Sequence, residues 1–296
     1  MNKKKSNKID FGIVIPVIEE ELSSFYRNIY KLIENLKFSK IFSYKIVVII
    51  QSKNKISCNQ IEKIEYYYDN FYSVSKARNI GFKKLNDICK YIYFLDHDAV
   101  PSIEFLTISK FNISLKTDVW ACKLCWTDNI NKVSKKIDNS SRFRSIFYSP
   151  FNAFLGCYIF KCELLNAINI KFNENLGPAE DTFLKCGEDV IFLSDFFSKN
   201  NINKYKYYSN IKTFHPKRLS DNSKTITYIE GQAVVFKYLL GNSKIDNTIR
   251  FSSLVYLILY FFNGIIKFIS FEKNGFYIMS KRIMCLFKKH DYSKIF

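Results

Sequence analysis

Two aspartates that follow a short apolar run are the first residues in this chain whose spacing suggests chemistry. Residues 91–95 read Tyr-Ile-Tyr-Phe-Leu, and Asp96, His97 and Asp98 come directly after them, with Pro101 beyond. The run has the composition of a buried parallel strand. Side chains two residues apart in an extended segment project to the same side, so Asp96 and Asp98 can reach one cation. Mg²⁺ or Mn²⁺ held by few carboxylates keeps positions open for diphosphate oxygens. We therefore predict a metal site here, against the alternative of a solvated turn.

Basic residues outnumber acidic ones. The 296 residues include 45 Lys and Arg against 27 Asp and Glu, a net charge of +18, with 48% hydrophobic and 17% aromatic residues. The apolar content predicts a globular chain. The charge favours an anionic partner, and nucleic acid, acidic lipid and a phosphorylated substrate all qualify. No nucleic-acid-binding module is recognisable, so we expect no specific nucleic acid partner.

The cysteines and the N-terminus indicate the compartment. Eight cysteines sit at irregular spacings, mostly within apolar stretches, as small buried hydrophobic residues do in a reducing cytosol. Cys122 and Cys125 form a single Cys-x-x-Cys without a second pair, which is weak support for a zinc or redox site. No apolar signal core precedes the first strand, so we expect a cytoplasmic protein.

Strand-like and helix-like segments alternate before and after the two aspartates. We predict strands at residues 11–15, 45–50 and 91–95 and helices at 19–36 and 75–89, then strands at 118–126, 153–160 and 204–209 and a helix at 187–199. This alternation predicts an α/β fold with a mostly parallel sheet flanked by helices, in which ligands bind beyond the carboxyl ends of the strands. The polar stretch 127–149 is expected to be a mobile, functional loop. The composition changes after about residue 220, which divides the chain into 1–220 and a helical region, 221–296.

Four segments in order within residues 10–220 resemble the family 2 glycosyltransferases, inverting enzymes of the GT-A fold that use nucleotide-sugar donors. Residues 13–17, Ile-Val-Ile-Pro-Val, are similar to the opening strand of the family and its nucleotide-contacting loop. Residues 75–81, Ser-Lys-Ala-Arg-Asn-Ile-Gly, are similar to a helix start beside the donor. The resemblance implies donor-binding roles for Pro16, Val17, Glu19, Arg78 and Asn79. The planar charge of Arg78 suits a phosphate or the carboxylates after the first strand.

The third and fourth segments carry the acidic residues. In the family, the pair that resembles Asp96 and Asp98 holds the divalent ion that bridges the donor diphosphate, with Asp98 the closer ligand and Asp96 also on the donor side. Residues 172–177 and 187–193 are similar to a Gly-Glu-Asp helix start, which implies that Asp189, beside Glu188, deprotonates the acceptor hydroxyl. A helix N-terminus favours the carboxylate anion that a base requires.

Three further positions qualify the resemblance. Glu180 and Asp181 form a rival acidic pair, but only Glu188 and Asp189 have glycine before them and an apolar helical run after them. His215 lies where many relatives place a histidine that completes the metal or diphosphate site. Many relatives end the second strand with aspartates, one of which reads uracil, whereas this chain has Gln51. The amide of Gln51 can pair with a base edge, and the identity of the base stays open.

The C-terminal region contains an amphipathic segment. Apolar residues fall on one face of a predicted helix at 251–269, and polar residues fall on the other. Such a helix lies in a membrane interface or packs on the catalytic domain. The basic pairs at 281–282 and 288–289 would meet anionic headgroups.

These observations favour a metal-dependent inverting glycosyltransferase that moves a sugar from a nucleotide-diphosphate-sugar to a hydroxyl of a lipid-linked glycan. We expect it on the inner face of the cell membrane as a peripheral protein. One alternative is a sugar nucleotidyltransferase, although the glycine-rich loop expected after the first strand is absent. The other is a non-enzymatic basic protein that binds membrane or nucleic acid, although acidic motifs at the sheet edge would repel such partners.

Overall fold

Eight strands and eight helices make up the part of the chain described by the computed structural model, which covers residues 8–40, 43–54, 56–127, 154–182, 184–200, 205–217, 223–270 and 274–289. The strands are β1 (Ile9–Ile18), β2 (Tyr44–Gln51), β3 (Ile64–Asp69), β4 (Cys89–Phe94), β5 (Val100–Pro101), β6 (Val119–Trp126), β7 (Tyr158–Lys161) and β8 (Tyr205–His215). The helices are α1 (Leu22–Phe38), α2 (Val74–Leu85), α3 (Ile103–Ser114), α4 (Cys162–Ala167), α5 (Glu188–Lys199), α6 (Ser223–Gly241), α7 (Asn247–Ile269) and α8 (Gly275–Phe287).

All eight strands join one sheet in the order β3-β2-β1-β4-β7-β6-β8-β5. The first four strands in this order are mutually parallel. β7 runs antiparallel to both β4 and β6, while β8 is parallel to β6. The predicted α/β class is confirmed as a GT-A-like fold. The carboxyl ends of β1, β2, β4, β6 and β8 share one edge of the sheet, and Asp96 and Asp98 lie on that edge.

The central strands are apolar on both faces because helices cover both. Side chains from Ile13 to Val17 in β1 and from Ile46 to Ile50 in β2 are buried, as near-continuous apolar runs of parallel strands require. Helix α2 comes very close to β1, since a Cβ added at Gly81 would lie 2.3 Å from Cγ1 of Val14. The close approach expected of Gly81 is therefore present.

Several element boundaries differ from those predicted. Helix α2 ends at Leu85 because the chain turns there to begin β4 at Cys89. In place of a strand over 153–160, a short 3-10 helix at Leu155–Cys157 precedes β7. β8 continues to His215, beyond the predicted end at 209. β3 was not predicted. Of the predicted loop at 127–149, residues 128–149 lie outside the described residues.

Helix α7 carries two buried serines and many exposed apolar residues. Ser252 and Ser253 are buried, whereas most large apolar side chains after Ile249, which is itself in the core, are exposed. The exposed apolar residues of α7 and α8, here called the apolar face, are Phe251, Leu254, Val255, Ile258, Leu259, Phe262, Ile265, Ile266, Phe268, Ile269, Phe276, Tyr277, Ile283, Met284 and Phe287. By length and composition, Asn247–Ile266 is also apolar enough to cross a membrane, with a mean hydropathy of 1.6.

Candidate active site

A cleft of about 1310 Å³ opens at the carboxyl edge of the sheet. Strand ends supply one wall, and helices α5 and α6 supply another. The lining residues that matter for the chemistry are Pro16, Val17, Gln51, Arg78, Asp96, Asp98, Trp126, Phe154, Glu188, Asp189, His215, Tyr228, Gln232 and Val235. Ligand sites of α/β sheets lie at such edges.

Asp96, Asp98 and His215 form a cluster suited to a metal ion. One ligand atom from each lies within 4.8 Å of the others. Nε2 of His215 is 3.2 Å from Oδ1 of Asp98, and Nδ1 of His215 is 2.9 Å from the carbonyl oxygen of Pro216. A proton on Nδ1 satisfies that carbonyl and leaves the Nε2 lone pair facing the aspartates. Two carboxylates and one imidazole fit a divalent cation such as Mn²⁺ or Mg²⁺ with open positions.

Arg78 connects this cluster to the acidic start of α5. Its side chain is 2% exposed. The guanidinium lies 2.8 Å from Asp96, 2.6 Å from Asp189 and 3.6 Å from Glu188. The three carboxylates raise the pKa of Arg78 even though burial alone would lower it. The sequence suggested phosphate or the carboxylates after β1 as partners, but Arg78 pairs with these three groups.

Glu188 and Asp189 enter the cleft because α5 begins sharply at Gly187. Gly187 has φ +108°, which glycine adopts without strain. The backbone N–H of Leu155 donates to Oδ2 of Asp189 at 3.3 Å.

Burial controls the ionisation of this acidic pair. It raises the pKa of Glu188 to about 8, with Asp189 adding to the effect and Arg78 opposing it. Burial also raises the pKa of Asp189, against the attraction of Arg78. Desolvation is the largest influence on both pKa values, and it acts against the helix N-terminus, which was expected to favour the carboxylate anion.

The predicted donor-binding residues separate into two groups. Pro16, Val17 and Gln51 line the cleft. Gln51 is 1% exposed, and its Oε1 accepts a hydrogen bond from the Ser73 backbone. Glu19 and Asn79 are not among the lining residues of the described chain.

Glu19 and Asn79 have structural contacts instead. Glu19 accepts a hydrogen bond from the Ser52 hydroxyl at 2.6 Å. The Asn79 amide donates to the Phe172 carbonyl at 2.9 Å and to Glu174 at 2.8 Å. Asn79 therefore holds the 172–174 segment in place.

The rival pair occupies a more peripheral position. Glu180 lies at the cleft and pairs with Lys53 at 2.7 Å. Asp181 is exposed and is not among the lining residues of the described chain. Neither forms the arginine contact that Glu188 and Asp189 share.

Two parts of the cleft were not singled out from the sequence. Helix α6 contributes Tyr228, Gln232 and Val235. It packs directly on the start of α5: a Cβ at Gly231 would lie 2.7 Å from the carbonyl oxygen of Cys186, and one at Gly187 would lie 2.4 Å from Val235. A glycine inside a long helical pattern was the available signal, since it often marks close packing.

The second part is aromatic. Trp126 and Phe154 contact the His215 ring, with centroids 4.8 Å and 5.2 Å away. Trp126 reaches this ring because it lies opposite His215 in the β6–β8 register. That register includes a shift after Cys122, which the sequence pattern does not reveal.

No protein-family model matches the chain, and no curated protein matches it in sequence. Solved structures of S. aureus TarS match its fold. The fragment of residues 1–349 has a TM-score of 0.54 at 15% identity, over 83% of this chain and 71% of that one. The same fragment in complex with UDP-GlcNAc has a TM-score of 0.52 at 17% identity, over 79% and 68%. Its complex with UDP gives 0.51 at 17% identity, over 79% and 67%. At these identities the similarity establishes the shared fold alone.

Proposed function

We propose that this protein is a metal-dependent inverting glycosyltransferase of the family 2 type. It transfers a sugar from a nucleotide-diphosphate-sugar to a hydroxyl group of a glycan. The observation that carries the proposal is that one cleft contains both a two-aspartate, one-histidine cluster and a buried acidic pair, with Arg78 between them. This arrangement provides for a diphosphate leaving group on one side and for proton abstraction on the other.

In this mechanism the two acidic residues have different protonation states. Glu188, with its pKa raised to about 8, is protonated at neutral pH. Asp189, 2.6 Å from Arg78, is the anion of the pair and accepts the proton of the acceptor hydroxyl. The oxygen then attacks the anomeric carbon from the face opposite the diphosphate, which inverts the configuration. The shorter distance from Arg78 to Asp189 than to Glu188 is the observation that supports Asp189 as the base.

In this proposal the diphosphate of the donor lies beside the metal cluster. Asp98, Asp96 and His215 would hold Mg²⁺ or Mn²⁺, which would supply positive charge against the departing nucleoside diphosphate. Asp96 is also held by Arg78 at 2.8 Å, which fixes the orientation of its carboxylate. The contacts that hold His215 are the Pro216 carbonyl and the rings of Trp126 and Phe154.

The nucleotide is assigned to the β1 and β2 end of the cleft, where Pro16, Val17 and Gln51 line the wall. The TarS complexes with UDP-GlcNAc and UDP show that a protein of this fold binds a nucleotide-sugar, which supports a donor of the same class here. Gln51 would meet the base with its amide.

A donor panel tests the function. Purified enzyme is incubated with UDP-, GDP-, dTDP- and CMP-sugars, with Mn²⁺, with Mg²⁺ and with chelator, and release of nucleotide is measured. We expect one donor class to be hydrolysed with metal and none with chelator. Asp98→Asn should abolish the reaction and keep the wild-type melting temperature. Full turnover in chelator would reject the metal role, and product from a nucleoside triphosphate plus a sugar phosphate would favour the nucleotidyltransferase.

We further propose that the apolar face contacts an anionic membrane on the cytoplasmic side and that the acceptor is lipid-linked. Region 221–296 would then combine two tasks, because α6 borders the cleft while α7 and α8 present the apolar face. Of the basic residues expected at the headgroups, Lys288 and Lys289 are exposed and Lys281 is half-buried. Arg282 is buried instead and donates a hydrogen bond to the Tyr260 carbonyl. The chain carries a net charge of +18. Apolar burial and attraction to anionic headgroups act together in interfacial helices.

A further inference from the structure

Trp126 places an aromatic ring beside the metal cluster in the cleft. Trp126 ends β6 and is 37% exposed at the cleft. Its ring lies 4.8 Å from that of His215, whose Nε2 is 3.2 Å from Asp98. The other tryptophan, Trp120, is fully buried and donates its indole N–H to Ser109 at 2.9 Å. Trp120 is a core residue, whereas Trp126 is partly exposed among the polar residues that line the cleft.

The sheet order tells which part of a substrate would meet this ring. Along the carboxyl edge, Gln51 ends β2, Asp96 and Asp98 follow β4, and Trp126 ends β6, on the far side of β7. A nucleotide whose base lies near β2 and whose diphosphate lies near β4 has its sugar, and then the acceptor, towards β6. The base and Trp126 are therefore on opposite sides of the metal cluster.

We propose that Trp126 is a stacking platform for a pyranose ring, an inference that rests on the proposed function. The face of an indole is the negative side of its quadrupole and attracts the C–H groups of a sugar ring. Sites for polar ligands combine such apolar surfaces with a few hydrogen-bonding groups. Either the donor sugar or the sugar at the acceptor end can supply the pyranose, and the experiment separates the two.

Intrinsic fluorescence provides the test, because the chain has only two tryptophans. The emission of Trp126→Phe, which retains buried Trp120, is subtracted from that of the wild type, so that Trp126 alone is followed. The probes are UDP with UDP-GlcNAc, GDP with GDP-mannose, and the methyl glycosides of glucose, galactose, mannose and N-acetylglucosamine, all with Mg²⁺. A change with a nucleotide-sugar beyond that with its nucleoside diphosphate identifies the donor sugar. A change with a methyl glycoside identifies the acceptor sugar.

Calorimetry on Trp126→Ala gives the second readout. We expect affinity for the responding sugar to fall about tenfold, the scale of one lost stacking contact plus its buried area, with nucleoside diphosphate affinity within about twofold of wild type. Phe111→Ala, which removes an exposed ring outside the cleft, is the matched control and should change neither.

Three results would overturn the proposal. In the first, no sugar alters Trp126 emission. In the second, Trp126→Ala binds every sugar as the wild type does. In the third, Trp126→Ala loses affinity for Mg²⁺ or Mn²⁺ but not for sugar, which would show that the ring acts only by orienting His215. Failure of the proposed function is distinguishable, since it would appear as absent nucleoside diphosphate binding in both proteins.

Discussion

Arg78 sets the charge state of the site. One guanidinium faces three carboxylates, Asp96, Glu188 and Asp189, and it is almost fully buried. Buried carboxylates without compensation are costly, and the pKa of a group shifts before an unpaired charge is tolerated. Arg78 balances part of this negative charge, protonation of Glu188 removes another part, and a divalent cation at Asp96 and Asp98 would remove the rest.

Substitutions in the two acidic pairs should have very different effects on turnover. Asp189→Asn should lower turnover by roughly 10²–10⁴-fold, the usual contribution of a general base, with little change in donor affinity. Asp181→Asn should stay within about twofold of wild type, because Asp181 is exposed and lies outside the cleft wall. Steady-state kinetics and nucleotide binding measure both effects, and the reverse order would transfer the base to the other pair.

Protonation of Glu188 should make the stability of the folded protein depend on pH. Glu188 has its pKa raised from 4.5 to about 8 in the folded protein. The folded state therefore holds a proton that the unfolded state has lost across this interval, so the contribution of Glu188 to stability falls as pH rises from 4.5 to about 8. Melting temperatures of the wild type should decline relative to Glu188→Gln over this range and then run parallel above it. Parallel curves throughout would show that Glu188 is ionised in the folded protein.

The sequence predicted which acidic residues lie together better than it predicted the residues that other candidates contact. Asp96, Asp98, Glu188, Asp189 and His215 meet in one cleft as expected, because strand ends and a glycine-initiated helix fix where they point. The contacts of Glu19 and Asn79 depend on neighbouring loops, which no spacing rule specifies. Trp126 depends on the β6–β8 register and its shift after Cys122.

Helices α5 and α6 meet at a junction that depends on a glycine from each side. Gly187 and Gly231 allow the two helices to approach so closely that either missing side chain would collide with the other element. The thiol of Cys186 also donates to the Tyr228 carbonyl at 3.3 Å. The direction in which Glu188 and Asp189 point is therefore held by α6 as well as by the sheet.

Alanine substitutions test this junction. In Gly187→Ala the alanine has to adopt a positive φ, and its Cβ would lie 2.4 Å from Val235. We therefore expect the unfolding free energy to fall by roughly 1–3 kcal/mol. Turnover should also drop, because the start of α5 would move. Gly241→Ala, at the end of α6, meets nothing within 4 Å and should stabilise the protein by about 0.4–1 kcal/mol. Urea denaturation and donor hydrolysis measure the pair. A fully active Gly187→Ala would mean that the start of α5 tolerates displacement.

Strands with an unbroken apolar run were predicted from the sequence, and the strand without one was not. β1, β2 and β4 have unbroken apolar runs because both faces are covered. β3 reads Ile-Glu-Tyr-Tyr-Tyr-Asp and lies at the edge of the sheet with partly exposed side chains, so it lacks both the apolar run and the alternation of a strand. The end of α2 was misplaced because apolar spacing continues through the turn into β4.

A helix on the surface of a globular domain normally turns its apolar side to the core, and α7 does the opposite over most of its length. Ser252 and Ser253 are buried, and most of the large apolar side chains after Ile249 are exposed. The sequence showed the two faces but not which one packs against α6 and α8. A contiguous apolar face of this extent marks an interaction surface, and the positive charge of the chain favours an anionic membrane as its partner.

Vesicle binding tests that assignment. The double variant Ile258→Asn with Phe262→Asn alters two side chains that are about half exposed, so folding should be preserved while binding to anionic vesicles falls at least about tenfold. Phe38→Ser, at an exposed site on α1, should bind as the wild type does. Added salt should weaken the electrostatic part only. If the protein does not bind vesicles at low salt, the proposed membrane contact is rejected. It is also rejected if the wild type is a dimer that the double variant dissociates, because the apolar face would then join two copies of the chain. Deletion from Phe251 is a poorer test, because α8 shares a buried cluster with α6.

The contact between α6 and the start of α5 also limits how such chains can be recombined. A chimera that exchanges the C-terminal helices with those of a related protein at residue 220 would separate Gly231 and Val235 from the Cys186–Gly187 backbone against which they fit. A crossover after Gly241 keeps that fit within one parent and exchanges only α7 and α8. The cleft residues on the sheet, on α2 and on α5 therefore have to come from the same parent as α6. Helices α7 and α8 can be exchanged after Gly241 if the buried cluster that α8 shares with α6 stays complementary.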